Sequence, residues 1–406
     1  MEPLLVVIIV LAVAGSAALG IWAYLRHRYL RAVEARGWRA IGSPPISLVH
    51  GLNVPPFGLG FDRRVSKQVS GSASDGTPFS AFVYRSTEAN PRGWMLTMPL
   101  PHSFPEAEAW TQTGRGRREL DGLGAGVQVG PATARAADLV YATEVARAAG
   151  ELQGPFGVTV DHEYLVLGPV PHDLDALAAA AEQLAGMRRA LLASPVAGLQ
   201  GPTPPRHLSI YGRPGWVVID RDDSMLRMVE HTGGGSHHQA HDIITGLEQG
   251  LRFVRLRHTW ETTSTSTDSE GRTTTRTDHH EETVCGYATT FPFHPISINQ
   301  GWFGNRRKFE WEAFTDRVTV RAPDARFASD VIHQRQMEYL MALRSPSFSI
   351  NADGSITVRQ NDRWAPHDIV AQAGELAGFF GHVPDFVWQQ LGAWPRPIPR
   401  LGGEPG

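Results

Sequence analysis

The stretch RAADLVYATEV at residues 135–145 matches RAPDARFASDV at residues 321–331 without a gap. Arg, Ala, Asp, Ala and Val recur at the same places, and the swap of Tyr141 for Phe327 keeps an aromatic ring. A self-match of this kind indicates that one structural unit occurs twice in the chain. The prediction of the fold starts from this duplication.

The match continues in order after each of these stretches. FGVTVDHEYLV at 156–166 corresponds to FSINADGSITV at 348–358, and both place alternating residues around a turn, as a β-hairpin does. Pro-His-Asp follows each hairpin, at 171–173 and 366–368, and leads into a stretch with helical periodicity. We interpret each Asp as the N-cap of a helix, which explains the motif better than acid–base catalysis by the His-Asp pair.

The sequence therefore predicts an α+β fold. An N-terminal transmembrane helix precedes two tandem copies of one α+β domain, each with a β-rich front half and then a helix, a β-hairpin and a helix. The predicted segments are a transmembrane helix at 1–25, a basic juxtamembrane segment at 26–56, the first repeat at 57–193, a linker with short strands and a His/Gly-rich loop at 194–249, the second repeat at 250–393 and a disordered tail at 394–406.

The N-terminal segment decides the predicted location. Residues 3–25 carry no charge and match the roughly 20 residues that cross a bilayer as a helix. Arg26, Arg28 and Arg31 follow, whereas Glu2 precedes the run, so the positive-inside rule predicts a single-pass protein of the cell membrane with cytoplasmic domains. The alternative is a cleaved signal peptide, but its basic n-region is missing. The lipid bilayer is thus the first predicted partner.

Composition excludes several classes of function. A formal net charge of −3 argues against a nucleic-acid partner, because such proteins usually neutralise phosphates with a basic excess. Cys285 is the single cysteine, which rules out an intrachain disulfide, and we interpret it as a small core residue. The sequence contains no phosphate-binding Gly-rich loop, no Gly-x-Ser-x-Gly nucleophile motif and no paired-histidine zinc helix. No catalytic residue and no organic cofactor are therefore predicted.

A histidine-rich stretch around the glycines at 233–235 is the best candidate site. Imidazoles and a carboxylate suit zinc or another borderline divalent metal. If a helix begins after the glycines, His237 or His238 shares a face with His241; the alternative is a glycine loop with polar residues at a helix start. The candidate metal ligands are His231, His237, His238, His241 and Asp242.

The Ser/Thr-rich stretch at 261–283 predicts a hairpin that projects into solvent, since neither arm has an apolar face. It is either an insertion of the second repeat or an edge for a partner strand with hydroxyls that accept phosphate.

The anchor, the arginine flank and the repeated block at Tyr141 and Phe327 give the chain a resemblance to a family of single-pass, internally duplicated membrane proteins of high-GC bacteria. That resemblance implies no particular activity. The leading hypothesis is a membrane-tethered binding or scaffold protein for a membrane or cytoplasmic protein. The alternatives are a metal-dependent hydrolase with a site between the repeats that uses the His231–Asp242 segment, and a phosphorylated adaptor that acts through the hairpin.

Overall fold

The structure is a computed structural model that describes residues 3–110, 126–129, 136–150, 152, 157–267, 273–301, 308–361 and 363–399. The chain divides into two compact units, Met1–Gly212 and Arg213–Gly406. Each unit combines one antiparallel eight-stranded sheet with helices, which confirms the predicted α+β class.

The prediction of an N-terminal membrane helix is not supported. Among the residues that the structure describes, no helix is long and apolar enough to cross a membrane.

The sheet of the first unit has the strand order β1-β2-β3-β4-β8-β7-β5-β6. Its strands are β1 Arg39–Ile41, β2 Arg64–Ser72, β3 Pro78–Arg85, β4 Trp94–Pro99, β5 Ala107–Trp110, β6 Gly126–Val129, β7 Gly157–Asp161 and β8 Tyr164–Val170. Its helices are α1 Pro3–Glu34, α2 Ala136–Ala149 and α3 Leu174–Leu192. A 3-10 turn covers Ile46–Val49.

Helix α3 begins and packs as the sequence predicts. The Asp173 carboxylate accepts a hydrogen bond of 2.8 Å from the Ala176 N–H, which satisfies one of the free donors at the helix start. Leu177, Ala181 and Leu184 recur at helical spacing and are buried in the core beneath the sheet. The predicted N-cap and the predicted apolar face of this helix are both confirmed.

The sheet of the second unit has the strand order β9-β10-β11-β12-β16-β15-β13-β14. Its strands are β9 Val217–Arg221, β10 Ser236–Glu248, β11 Leu251–Thr267, β12 Thr273–Ala288, β13 Ile296–Gln300, β14 Val318–Arg321, β15 Ser347–Ile350 and β16 Ser355–Val358. Its helices are α4 Glu312–Arg317, α5 Ala325–Val331, α6 Gln334–Ala342, α7 Pro366–His382 and α8 Asp385–Gln390, and a 3-10 turn covers Asp223–Met228.

The two sheets share one topology. Adding eight to every strand number of the first order gives the second order, and in each unit a helical segment precedes the last hairpin. A long helix follows that hairpin in each unit, and the second unit adds the short α8 after it. The largest difference in strand length is in β11 and β12, which have 17 and 16 residues where β3 and β4 have 8 and 6. The second unit therefore carries a long two-stranded ribbon that its counterpart lacks.

Two details differ from the predictions, and part of a third prediction lies outside the described residues. The segment 194–249 contributes β9 and β10 to the second sheet, whereas the sequence predicts a linker with short strands and a His/Gly-rich loop. Asp368 lies inside the first turn of α7 and accepts a hydrogen bond of 2.9 Å from the Ala365 N–H, so it is not the N-cap. Of the predicted tail, 400–406 lies outside the described residues.

Replacement of Phe380 tests the contribution of the aromatic core to the stability of the second unit. It is fully buried in α7, with its ring centroid 5.1 Å from those of both Phe291 and Phe293. We expect Phe380→Ala to lower the free energy of unfolding of this unit by about 3–5 kcal/mol, because the removed ring leaves a cavity. Urea unfolding monitored by circular dichroism measures the change. Phe386→Ala is the control, since Phe386 is 45% exposed and its removal opens no cavity.

Candidate metal centre

The ribbon of the second unit brings three histidines together. His238 lies on β10, His258 lies on β11, and His231 lies in the loop before β10. Ala240 is directly opposite His258, and His238 is two residues before Ala240, so the side chains of His238 and His258 share one face of the sheet. The metal-binding nitrogens of the three imidazoles lie within 4.8 Å of one another.

Ring contacts describe the packing of this cluster. The imidazoles of His238 and His258 are nearly parallel, with an interplanar angle of 11° and ring centroids 5.0 Å apart. The His231 ring lies 4.5 Å from that of His258. His258 is fully buried, while His231 and His238 are half-buried, so solvent reaches the cluster from one side.

Glu282 orients the central imidazole. Glu282 lies on β12 directly opposite His258. The His258 Nδ1–H donates a hydrogen bond of 2.8 Å to the Glu282 carboxylate. The same carboxylate accepts hydrogen bonds from the Thr232 N–H at 2.7 Å and from the Thr232 hydroxyl at 3.0 Å. A carboxylate on the remote nitrogen of an imidazole is the usual support of a metal-bound histidine, because it fixes the ring and its tautomer.

The charges of the site favour metal binding at neutral pH. Burial lowers the pKa of His258 and the neighbouring His231 and His238 add to this, against the opposing effect of Glu282. Burial raises the pKa of Glu282, but the hydrogen bonds from His258 and Thr232 outweigh it and lower that pKa overall. A neutral imidazole paired with an ionised carboxylate leaves the His258 Nε2 lone pair available to a cation.

Two of the three imidazoles already present a lone pair. The His231 Nδ1–H donates to the Thr232 carbonyl oxygen at 3.0 Å, so its Nε2 is unprotonated in the neutral ring. The Nε2 of His258 faces the Nδ1 of His238 at 2.8 Å. Imidazole nitrogens on a tetrahedral zinc ion are about 3.3 Å apart. The set is complete once the His238 proton moves from Nδ1 to Nε2 and the three nitrogens, which lie within 4.8 Å of one another, adjust to that spacing. The donor set therefore fits a divalent transition metal.

The structure separates the other predicted ligands from this cluster. His237 is exposed and lines a groove of about 400 Å³ together with Gln239 and Glu261. The His241 Nε2–H donates to the Gln239 side chain at 3.0 Å, and Asp242 forms an ion pair of 2.8 Å with the buried Arg255. Of the predicted set, only His231 and His238 come together, and every member of the cluster belongs to the second unit.

The secondary structure explains this outcome. The segment after the glycines is strand β10 and not the expected helix, so the predicted i, i+4 spacing does not bring His237 and His241 to His238. Bulges between Ser236 and Gln239 and between His241 and Ile244 further separate neighbouring histidines. The sequence prediction missed His258 and Glu282, although alternation within the hairpin arms predicts their shared face once the register of the arms is known.

A second set of candidate donors lies in the first unit. The Asp161 carboxylate is buried and accepts hydrogen bonds from the N–H groups of Asn53, at 2.8 Å, and Val54, at 2.9 Å. The His162 Nδ1 lies 2.9 Å from Asp161, and its Nε2 lies 3.5 Å from Glu106. One donor atom from each of Glu106, Asp161 and His162 lies within 4.8 Å of the others, but both ring nitrogens of His162 already face a carboxylate. This chain of contacts fastens the 53–54 loop to the β7–β8 turn.

Comparison with known proteins adds no identification, because no family model, no curated protein and no solved structure matches the chain.

Stability of the first unit is expected to depend on His162 and on pH. Burial lowers the pKa of His162, but the hydrogen bond to Asp161 and the charges of Asp161 and Glu106 outweigh it and raise that pKa overall. Protonated His162 therefore stabilises the first unit fully below the pKa of an unfolded histidine, about 6.5. This stabilisation is lost as the pH rises through the higher pKa of His162 in the folded chain.

Urea unfolding of the wild-type chain and His162→Gln between pH 5 and pH 9 measures this effect. The difference in unfolding free energy between the two chains is expected to shrink with rising pH. His207→Gln, which changes an exposed histidine of the same unit, is the control. A difference that grows toward pH 9 contradicts the assignment.

Proposed function

We propose that this protein binds a divalent transition metal, with zinc as the reference ion, through His231, His238 and His258. The observation that carries the proposal is the convergence of three imidazole nitrogens within 4.8 Å around a histidine that Glu282 holds in the ligand tautomer. Imidazole is a preferred donor for zinc, copper and nickel.

Three protein ligands leave a fourth position for water. Zinc sites of this composition are open sites, in which the metal lowers the pKa of a bound water and makes it a nucleophile near neutral pH. The partial exposure of His231 and His238 gives a small molecule access to that position. Metal-assisted hydrolysis is therefore the reaction class that the arrangement favours.

Metal content of the purified full-length chain tests the proposal. We expect about one zinc ion per chain after zinc loading and dialysis, measured by inductively coupled plasma mass spectrometry, and near-complete loss in His258→Ala. His237→Ala and His241→Ala, on β10 beside His238, are the control variants and retain the metal. Equal metal content in His258→Ala and the wild-type chain overturns the assignment.

The supporting carboxylate gives a graded second test. Glu282→Gln keeps the size of the side chain but weakens the acceptor for His258, so zinc affinity is expected to fall by about 10–100-fold. Isothermal titration calorimetry measures this affinity. Affinity of the wild-type chain is also expected to fall as the pH drops below about 6, because imidazole must be neutral to bind a metal. An unchanged affinity in Glu282→Gln shows that the carboxylate does not support the site.

A membrane-tethered scaffold is the second candidate function. The repeated strand order favours it, because two units of one topology offer two related surfaces to a partner protein. The membrane location rests on the apolar run and arginines of the sequence, as does the resemblance to duplicated membrane proteins.

Fractionation of cells and crosslinking test this second proposal. The full-length chain is expected to remain in the membrane pellet after alkaline carbonate extraction and to capture the same partner in repeated crosslinking experiments. A chain released by carbonate, or one without a reproducible partner, removes this candidate without affecting the metal site.

A further inference from the structure

The outer edge of β12 is open along most of its length. β12 pairs with β16 through Tyr287 and Ala288, and within the described residues no strand pairs with Thr273–Cys285 on that side. The Gln360 side chain covers the end of this stretch: its amide oxygen accepts from the Cys285 N–H and its amide nitrogen donates to the Cys285 carbonyl, both at 3.0 Å. The backbone of Cys285 therefore points to the outer edge.

Backbone N–H and C=O groups alternate in direction along a strand, so those of the other odd-numbered residues of β12 point to the same edge as those of Cys285. The N–H and C=O groups of Thr277, His279 and Glu281 point outward, away from β11, and these residues are exposed. Exposed strand edges pair readily with another strand, because their donors and acceptors have no protein partner. The 273–284 edge is therefore a template for β-pairing.

We propose that this edge pairs with the same edge of a second copy of the chain. The two β12 strands run antiparallel about a twofold axis at His279. In this register Arg276 is opposite Glu282 of the second copy, and Asp278 is opposite His280 of the second copy. By symmetry each pair occurs twice, in the positions of an antiparallel pair where side chains approach most closely, with Cα atoms about 4.5 Å apart.

Charge selects this register over its neighbours. Sliding the second β12 strand to the next register in one direction places Asp278 opposite Asp278 of the second copy, and Arg276 opposite His280 of the second copy. A shift in the other direction places Asp278 opposite Glu282. Like charges directly opposite each other destabilise a strand pair, so the register centred on His279 is the one that the sequence of β12 favours.

The groups involved are available for this contact. The Arg276 side chain is 76% exposed and pairs with Asp278 of its own strand, and the His279 side chain is 77% exposed. Glu282 keeps 27% of its side-chain surface exposed while it supports His258, which leaves room for a further donor. A two-stranded contact of polar residues is small, so the expected dimer is reversible and weakens as salt screens the ion pairs.

Disulfide crosslinking of the full-length chain tests the axis. His279→Cys is expected to form a covalent dimer under mild oxidation, because the two thiols meet at the axis. Glu261→Cys, directly across the ribbon on β11, is the matched control and stays monomeric. Cys285 is fully buried and gives no background. A mixture of Thr277→Cys and Glu281→Cys is expected to crosslink, whereas Thr277→Cys alone is not.

Two separate proline variants test the edge in a second way. Thr277→Pro removes an outward N–H and is expected to abolish dimerisation in light scattering, and to prevent crosslinking when combined with His279→Cys. Thr263→Pro, at the directly opposed position on β11, removes an N–H of the other ribbon edge and leaves the dimer intact. A monomeric wild-type chain at high protein and low salt concentration overturns the proposal, as does equal crosslinking of His279→Cys and Glu261→Cys.

Discussion

The pairing of β11 with β12 is the constraint on which the candidate metal site and the proposed dimer contact depend. Sixteen directly opposed residue pairs, from Arg252 and Ala288 to Thr267 and Thr273, hold one register without a shift. This register places His258 opposite Glu282 and therefore gives the central imidazole its carboxylate. A slip by one residue moves every side chain of one strand to the other face, so the candidate metal site and the charge pattern of the edge both depend on this register.

The two units show how one topology supports different local chemistry. Both sheets have the same strand order, yet the long ribbon and its histidines occur in the second unit, while β3 and β4 of the first unit stay short. The first unit uses its own buried imidazole, His162, to hold a loop against a turn. The shared fold therefore does not define the function of either unit, which depends on the side chains at each site.

Much of the architecture follows from local patterns in the sequence. The hairpins at Asp161 and Asp353, the start of α3 at Asp173 and the apolar face of α7 each depend on residues within one or two turns of each other. The Ser/Thr-rich hairpin also follows from its local pattern, and its tip at 268–272 lies outside the described residues. Cys285 lies in the core as expected, and burial raises the pKa of its thiol to about 12.

The sequence by itself determined the α+β class and the repeated order of elements, since these follow from periodicity and short-range contacts. It also named His231 and His238 among the candidate ligands of the metal site, but with a helix expected after the glycines where the structure has strand β10. The tertiary structure decided that His258 and Glu282 complete that site and that His237, His241 and Asp242 stand apart from it. The physical reason is that strand pairing joins residues 20 or more positions apart, such as His238 with His258. The alternation within a strand shows which residues share a face, but it does not show which strand lies beside it.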